Sequence, residues 1–286
     1  MIDLNSLISL LTLKQKDTHH FVGQNYKTAW GRVFGGQVLG QSLHAAYQTV
    51  PNDRKAHSMH GYFILGGDIN IPIDYYVDAI RDGKSFTTRR VVAFQEGRAI
   101  FNMAASFHLE EEGVDHQITM PNVLTPELLL TDIQQADSLQ KLDPERYERL
   151  MKAHPQIFEF RPVGKAIYLE NRNSPPHSHI WFKTKEKIQA DLPLQHQLLA
   201  FASDYSLLLS ATLPHRKELD HARMYYASLD HAIWFHRDFK IDDWLLYAIE
   251  SPSASNARGY ARGSIFDQSG TMIASVSQEG LIRKYN

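Results

Sequence analysis

The chain has 286 residues, is 43% apolar and 22% charged, and carries a formal net charge of −2 with no cysteine. That composition fits a globular protein about two ordinary domains long, and it excludes disulfides, thiolate zinc sites and a cysteine nucleophile. No basic run marks a nucleic-acid partner, no stretch approaches the ~18 apolar residues of a spanning helix, and Asp3 stands where a secretory signal would carry Lys or Arg. A cytoplasmic protein without nucleic-acid or membrane partners is expected.

Leu4, Leu7, Ile8 and Leu11 fall at helical spacing and predict a short amphipathic helix over residues 3–14, with Asn5 or Ser6 as its cap. The Gly35-Gly36 pair leads into Gln37-Val38-Leu39-Gly40-Gln41, a predicted helix with small residues on more than one face. Small residues there let the helix lie close to surrounding backbone, as one enclosed by a curved sheet must. Four strand-like runs follow: 60–65, 73–80, 85–94 and 99–109, with Asp82-Gly83 and Glu96-Gly97 as hairpin signals. A helix followed by an antiparallel meander is an α+β pattern.

The pattern breaks after Glu110-Glu111-Glu112, where a polar connection with helices over 126–130 and 143–153 is expected. The second half then repeats the first. Gln197-Leu198-Leu199-Ala200 opens another apolar helix as Gln37 to Gly40 did. Asp238 follows the place of Asp68, Ser255 that of Ser85, Gly270 that of Gly97 and Ile273 that of Ile100. Such self-similarity points to a duplicated domain. The expected division is a first domain over 1–115, a connecting segment over 116–160 and a second domain over 161–286.

Several residues attract attention chemically. Asp204 interrupts the apolar run Leu198 to Leu209, either as a helix cap or break or as a buried functional acid. Asp230-His231 has the look of a catalytic dyad, yet neighbours on a strand point to opposite faces and cannot pair. A Ser-His-Asp triad lacks its G-x-S-x-G elbow. Gln278, in Ser277-Gln278-Glu279-Gly280 at the end of the last predicted strand, is either an exposed edge residue or an amide placed to donate to an oxyanion or a water. His177 and His179 share a strand face but lack further ligands at metal-site spacing, so no metal is expected. Gly35-Gly36 lacks both phosphate-loop patterns; close packing, or presenting helix N-terminal amides to a carbonyl, suits it better.

Five segments together resemble the bacterial acyl-CoA thioesterase II (TesB-type) family: Val33 to Gln41, Arg81 to Phe86 with Arg89-Arg90-Val91, Ala202-Ser203-Asp204, Leu229 to Arg237, and Ser255 to Gly259. The resemblance is collinear and spans almost the whole chain. It implies a tandem double hotdog, each half a long helix wrapped by a curved antiparallel sheet, and hydrolysis of medium- to long-chain acyl-CoA. It also implies that Asp204, Ser228 and Gln278 hold and activate a water. Ser228 departs from the family's usual Thr. No cofactor is implied beyond the CoA of the substrate, and a homodimer or homotetramer is implied. Nucleophilic attack by Asp204 itself stays open, as do an enoyl-CoA hydratase or dehydratase and a non-catalytic acyl-CoA-binding protein. The repeat sets His44 opposite Asp204, Ser58 opposite Ser228 and Ala105 opposite Gln278, which predicts one active site, with the first half as scaffold and tunnel wall.

Overall fold

A computed structural model describes residues 3–219 and 224–284. Helix α1 (Leu4–Leu11) is capped by Asp3, whose carboxylate accepts from Ser6 N at 2.7 Å, and it buries Leu4, Leu7 and Leu11. Asp3, rather than Asn5 or Ser6, therefore starts the helix. Strands β1 (Lys14–Asp17) and β2 (His20–Gly23) precede the buried helix α2 (Gly35–Tyr47). The first meander is β3 (Lys55–Phe63), β4 (Ile73–Asp82), β5 (Phe86–Gln95) and β6 (Arg98–His108).

The connection carries a short 3-10 turn (Pro126–Leu128) and two helices, α3 (Asp132–Leu142) and α4 (Pro144–Ala153). Helix α3 lies outside the expected elements. Its start is set by a capping box in which Thr131 and Gln134 exchange side-chain bonds with each other's backbone. The second half comprises β7 (Phe158–Pro162), β8 (His177–Thr184), α5 (Leu192–Ser203), β9 (Met224–Ser228), β10 (Asp230–Phe235), β11 (Leu245–Ser255), β12 (Arg258–Asp267) and β13 (Met272–Lys284).

The strands form one antiparallel sheet in the order β1-β2-β4-β5-β6-β3-β10-β13-β12-β11-β8-β7, with β9 also on β13. β3 and β10 join the halves, Ala232 pairing with His60. Inside the sheet's curve α2 and α5 pack against each other. The small residues of α2 serve that contact: a Cβ on Gly36 would sit 2.4 Å from the Phe201 carbonyl, and one on Gly40 3.1 Å from that of Gln197. The close backbone that Gly36 and Gly40 meet is thus the partner helix. The duplication reaches the irregularities, since the β5–β6 and β12–β13 hairpins both turn at a positive-φ glycine, Gly97 and Gly270. Both slip register just beyond, leaving Ile100 and Ile273 as the extra residues. Among the described residues no helix is long and apolar enough to cross a membrane.

Candidate active site

Helix α5 starts at Leu192, capped by Asp191 accepting from Leu194 N at 3.0 Å, five residues before the predicted opening at Gln197. It ends at Ser203, and Asp204 is its C-cap with φ −78° and ψ −14°. Asp204 is therefore a helix terminator whose side chain is only 5% exposed. Beyond it the chain turns through Ser206 at φ 67° into a 3-10 helix (Leu208–His215).

Gln278 corrects a positional expectation. It lies midway along β13, between β12 and the β9/β10 pair, and is 1% exposed; the edge reading fails. Ser228 closes β9 opposite Gly280. The structure brings all three side chains together. Gln278 Nε2 donates to Asp204 Oδ1 at 3.0 Å and to Ser228 Oγ at 2.5 Å, and Ser228 Oγ lies 3.4 Å from Asp204 Oδ1 as a donor.

The other carboxylate oxygen is held by the first half. Gly36 N–H, in the first turn of α2, donates to Asp204 Oδ2 at 2.9 Å. The opening amides of a helix lack intrahelical acceptors and carry partial positive charge, so this is a natural seat for an anion. Gly35 makes the approach possible, since a Cβ there would lie 2.7 Å from the same oxygen. The Gly36 amide thus meets a carboxylate of the protein itself, a contact from the first half beyond that of a scaffold or tunnel wall.

Burial pushes the Asp204 carboxyl above its ordinary value, while the Gln278, Gly36 and Ser228 bonds act against that rise. Beside it, burial pulls His231 down to about 3, so that ring is neutral at physiological pH. Strand alternation does separate Asp230 from His231: the Asp230 carboxylate accepts from Glu279 N at 2.6 Å, whereas His231 is buried with Nδ1 4.0 Å from Asp204 Oδ1. The carboxylate near His231 in space is that of Asp204, not of its chain neighbour Asp230.

Strand register also revises the repeat. Ala105 does stand where Gln278 stands, because each follows its hairpin's glycine and bulge by the same interval. Phe107 then corresponds to Gly280, and their partners are Ala56 and Ser228; Ala56, not Ser58, is the counterpart of Ser228. On the helix side the Tyr47 hydroxyl meets this strand, accepting from the Ala56 backbone amide at 2.9 Å, where Asp204 accepts from the Ser228 hydroxyl. Tyr47, Ala56 and Ala105 offer neither carboxylate, side-chain hydroxyl on β3 nor amide. The far end of the helix pair thus lacks the chemistry of the near end. His177 and His179 sit on β8 with ring centroids 6.0 Å apart, and no cluster of three metal-ligating side chains occurs among the described residues.

The chain resembles known proteins over nearly its whole length. A family model described as "Acyl-CoA thioesterase" matches residues 156–281, and one described as "Acyl-CoA thioesterase N-terminal domain" matches residues 26–108. The chain is 40% identical to Acyl-CoA thioesterase 2 of Haemophilus influenzae, over 98% of each chain. It is 36% identical to human Acyl-coenzyme A thioesterase 8, over 98% of this chain and 90% of that one. Among solved structures, the acyl-CoA thioesterase II TesB2 from Mycobacterium marinum superposes with a TM-score of 0.81 at 36% identity, covering 97% of this chain and 98% of that one.

Proposed function

Since the chain belongs to the acyl-CoA thioesterase family and is a double-hotdog thioester hydrolase acting on acyl-CoA, we propose that Asp204, Ser228 and Gln278 carry out that hydrolysis on medium- to long-chain substrates. The observation that carries this reading is the meeting of the three side chains on one buried carboxylate.

A thioester carbonyl is attacked by water once a base removes a proton from it. Asp204 is that base: its raised pKa keeps the carboxylate basic enough to take the proton, and its three donors keep it in place. Gln278 fixes Asp204 and Ser228, and the Ser228 hydroxyl orients the water against Oδ1. The water oxygen forms the new bond to the carbonyl carbon and the C–S bond breaks. The proton then passes from Asp204 to the departing thiolate. With the Gly36 amide on Asp204 Oδ2, the Gly35 amide beside it is the donor for the developing oxyanion, where fixed donors are most effective.

The reading extends to a cytoplasmic homodimer or homotetramer. The near-neutral charge and the exposed Tyr62 and Trp234 on the outer face of β3 and β10 support it. Thiol release should be measured across an acyl-CoA series from acetyl to palmitoyl, with crotonyl-CoA hydration followed in parallel. Faster release from the longer chains, with no hydration, is expected. Hydration without thiol release would overturn the reading.

A further inference from the structure

Around Asp204 two buried polar atoms have no hydrogen-bond partner, Gln278 Oε1 and His231 Nδ1. They belong to facing residues. The register that pairs Ala232 of β10 with Ser277 of β13 sets His231 directly across from Gln278, both on the inner face and each 1% exposed. Directly opposed residues of an antiparallel pair bring their side chains within reach of one another.

The orientation of the Gln278 amide is already decided. Both N–H bonds are spent, one on Asp204 Oδ1 and one on Ser228 Oγ. A carboxylate only accepts, so flipping the amide would turn a carbonyl oxygen against it. Oε1 must therefore find a donor elsewhere, because a buried acceptor left alone is costly. On its other side, His231 Nε2 lies 3.0 Å from Ser203 Oγ, whose single proton can turn toward that nitrogen or toward the Ala200 carbonyl, also at 3.0 Å.

We propose that His231 is a positioning residue: as the Nδ1–H tautomer it donates to Gln278 Oε1 and accepts from Ser203 at Nε2. It thereby fixes the amide that holds Asp204 and Ser228. This inference rests on the site reading above. The proximity of the Gln278 side chain favours the protonated ring, the sign expected when a ring N–H meets a carbonyl oxygen, although burial outweighs it and keeps the imidazole neutral. The first half supports the assignment. Where His231 faces Gln278, the corresponding pair is Met59 facing Ala105. The histidine is missing where the amide is missing.

The test compares His231→Asn, whose amide N–H falls near the place of Nδ1–H, with His231→Gln, which reaches the place of Nε2, and with His231→Leu. Asp204→Ala is measured alongside. We expect His231→Asn to keep kcat within about threefold, and the Gln and Leu variants to lose about 10- to 100-fold in kcat with KM nearly unchanged, the scale set by small misplacements of catalytic groups. Wild-type kcat in folded His231→Leu, or Gln outperforming Asn, overturns the inference while Asp204→Ala remains inactive. An active Asp204→Ala protein overturns the site reading and the inference with it. Nitrogen-15 spectra of the wild-type imidazole decide the matter without any variant: Nδ1–H is expected, and Nε2–H contradicts it.

Discussion

Gly36 N–H donates to Asp204 Oδ2 at 2.9 Å, so the first-half helix holds the carboxylate of the second half. Asp204 stands at the C-terminus of α5, whose dipole disfavours an anion, and at the N-terminus of α2, whose dipole favours one. The antiparallel packing of two duplicated helices creates this junction, and it ties activity to the fit between the halves.

Gly35→Ala should therefore act as an active-site change. Its Cβ would stand 2.7 Å from Asp204 Oδ2 and 3.0 Å from the Phe63 ring, which forces the carboxylate aside. A kcat loss of about 10- to 100-fold, with a modest drop in melting temperature, is expected from misplacement of this kind. Unchanged kcat would separate the helix start from the chemistry.

Ser228→Thr should preserve or raise kcat. The added methyl restricts χ1 and holds the hydroxyl toward Asp204, 3.4 Å away in the serine protein. Ser228→Ala removes the hydroxyl and should lower kcat. Complete loss in the threonine variant would mean that the pocket has no room for the methyl.

The raised carboxyl of Asp204 makes two pH predictions. As a base it acts when ionised, so kcat/KM should fall as pH drops through a value above 3.8, and Asp204→Asn should lose that limb. For stability the sign is the reverse. A group with a raised folded-state pKa contributes stability fully at pH below its unfolded value and loses that contribution as pH rises through the folded value. The melting temperature of Asp204→Asn should therefore gain on wild type as pH increases. A gap independent of pH would show that burial does not penalise the Asp204 charge.

His196 is a second pH-sensitive element, away from the proposed chemistry. It stacks on Phe235 at 4.0 Å, bonds the Tyr47 hydroxyl at 2.8 Å, and is pulled by burial from 6.5 to about 3. The unfolded chain binds its proton first, so stability should decline progressively as pH falls from 6.5 toward 3. His196→Phe should flatten the dependence of melting temperature on pH in that window, whatever its effect at neutral pH.

The sequence revealed local features well. Gly97 and Gly270 announced matching hairpins, and the small residues of α2 announced a close backbone approach, though the backbone they meet is the partner helix rather than the sheet. Asp204, Ser228 and Gln278 were named through resemblance, and their shared hydrogen bonds are tertiary facts. What stayed hidden depended on register. Sequence spacing sets Ser58 opposite Ser228, whereas strand pairing, slipped between Ala56 and Ser58, makes Ala56 its counterpart. Helix α3 was masked by a polar sequence whose start rests on the reciprocal bonds of Thr131 and Gln134. His231 was weighed against Asp230, its neighbour along the chain, while its partners came from α5 and β13.

The most direct test of the site is kcat for palmitoyl-CoA thiol release by Asp204→Ala beside wild type, with the fold of each checked by circular dichroism. Loss of a general base and of the water it orients predicts a fall of at least ~100-fold. A folded Asp204→Ala protein that releases thiol at near the wild-type rate would contradict the assignment of Asp204 as the base.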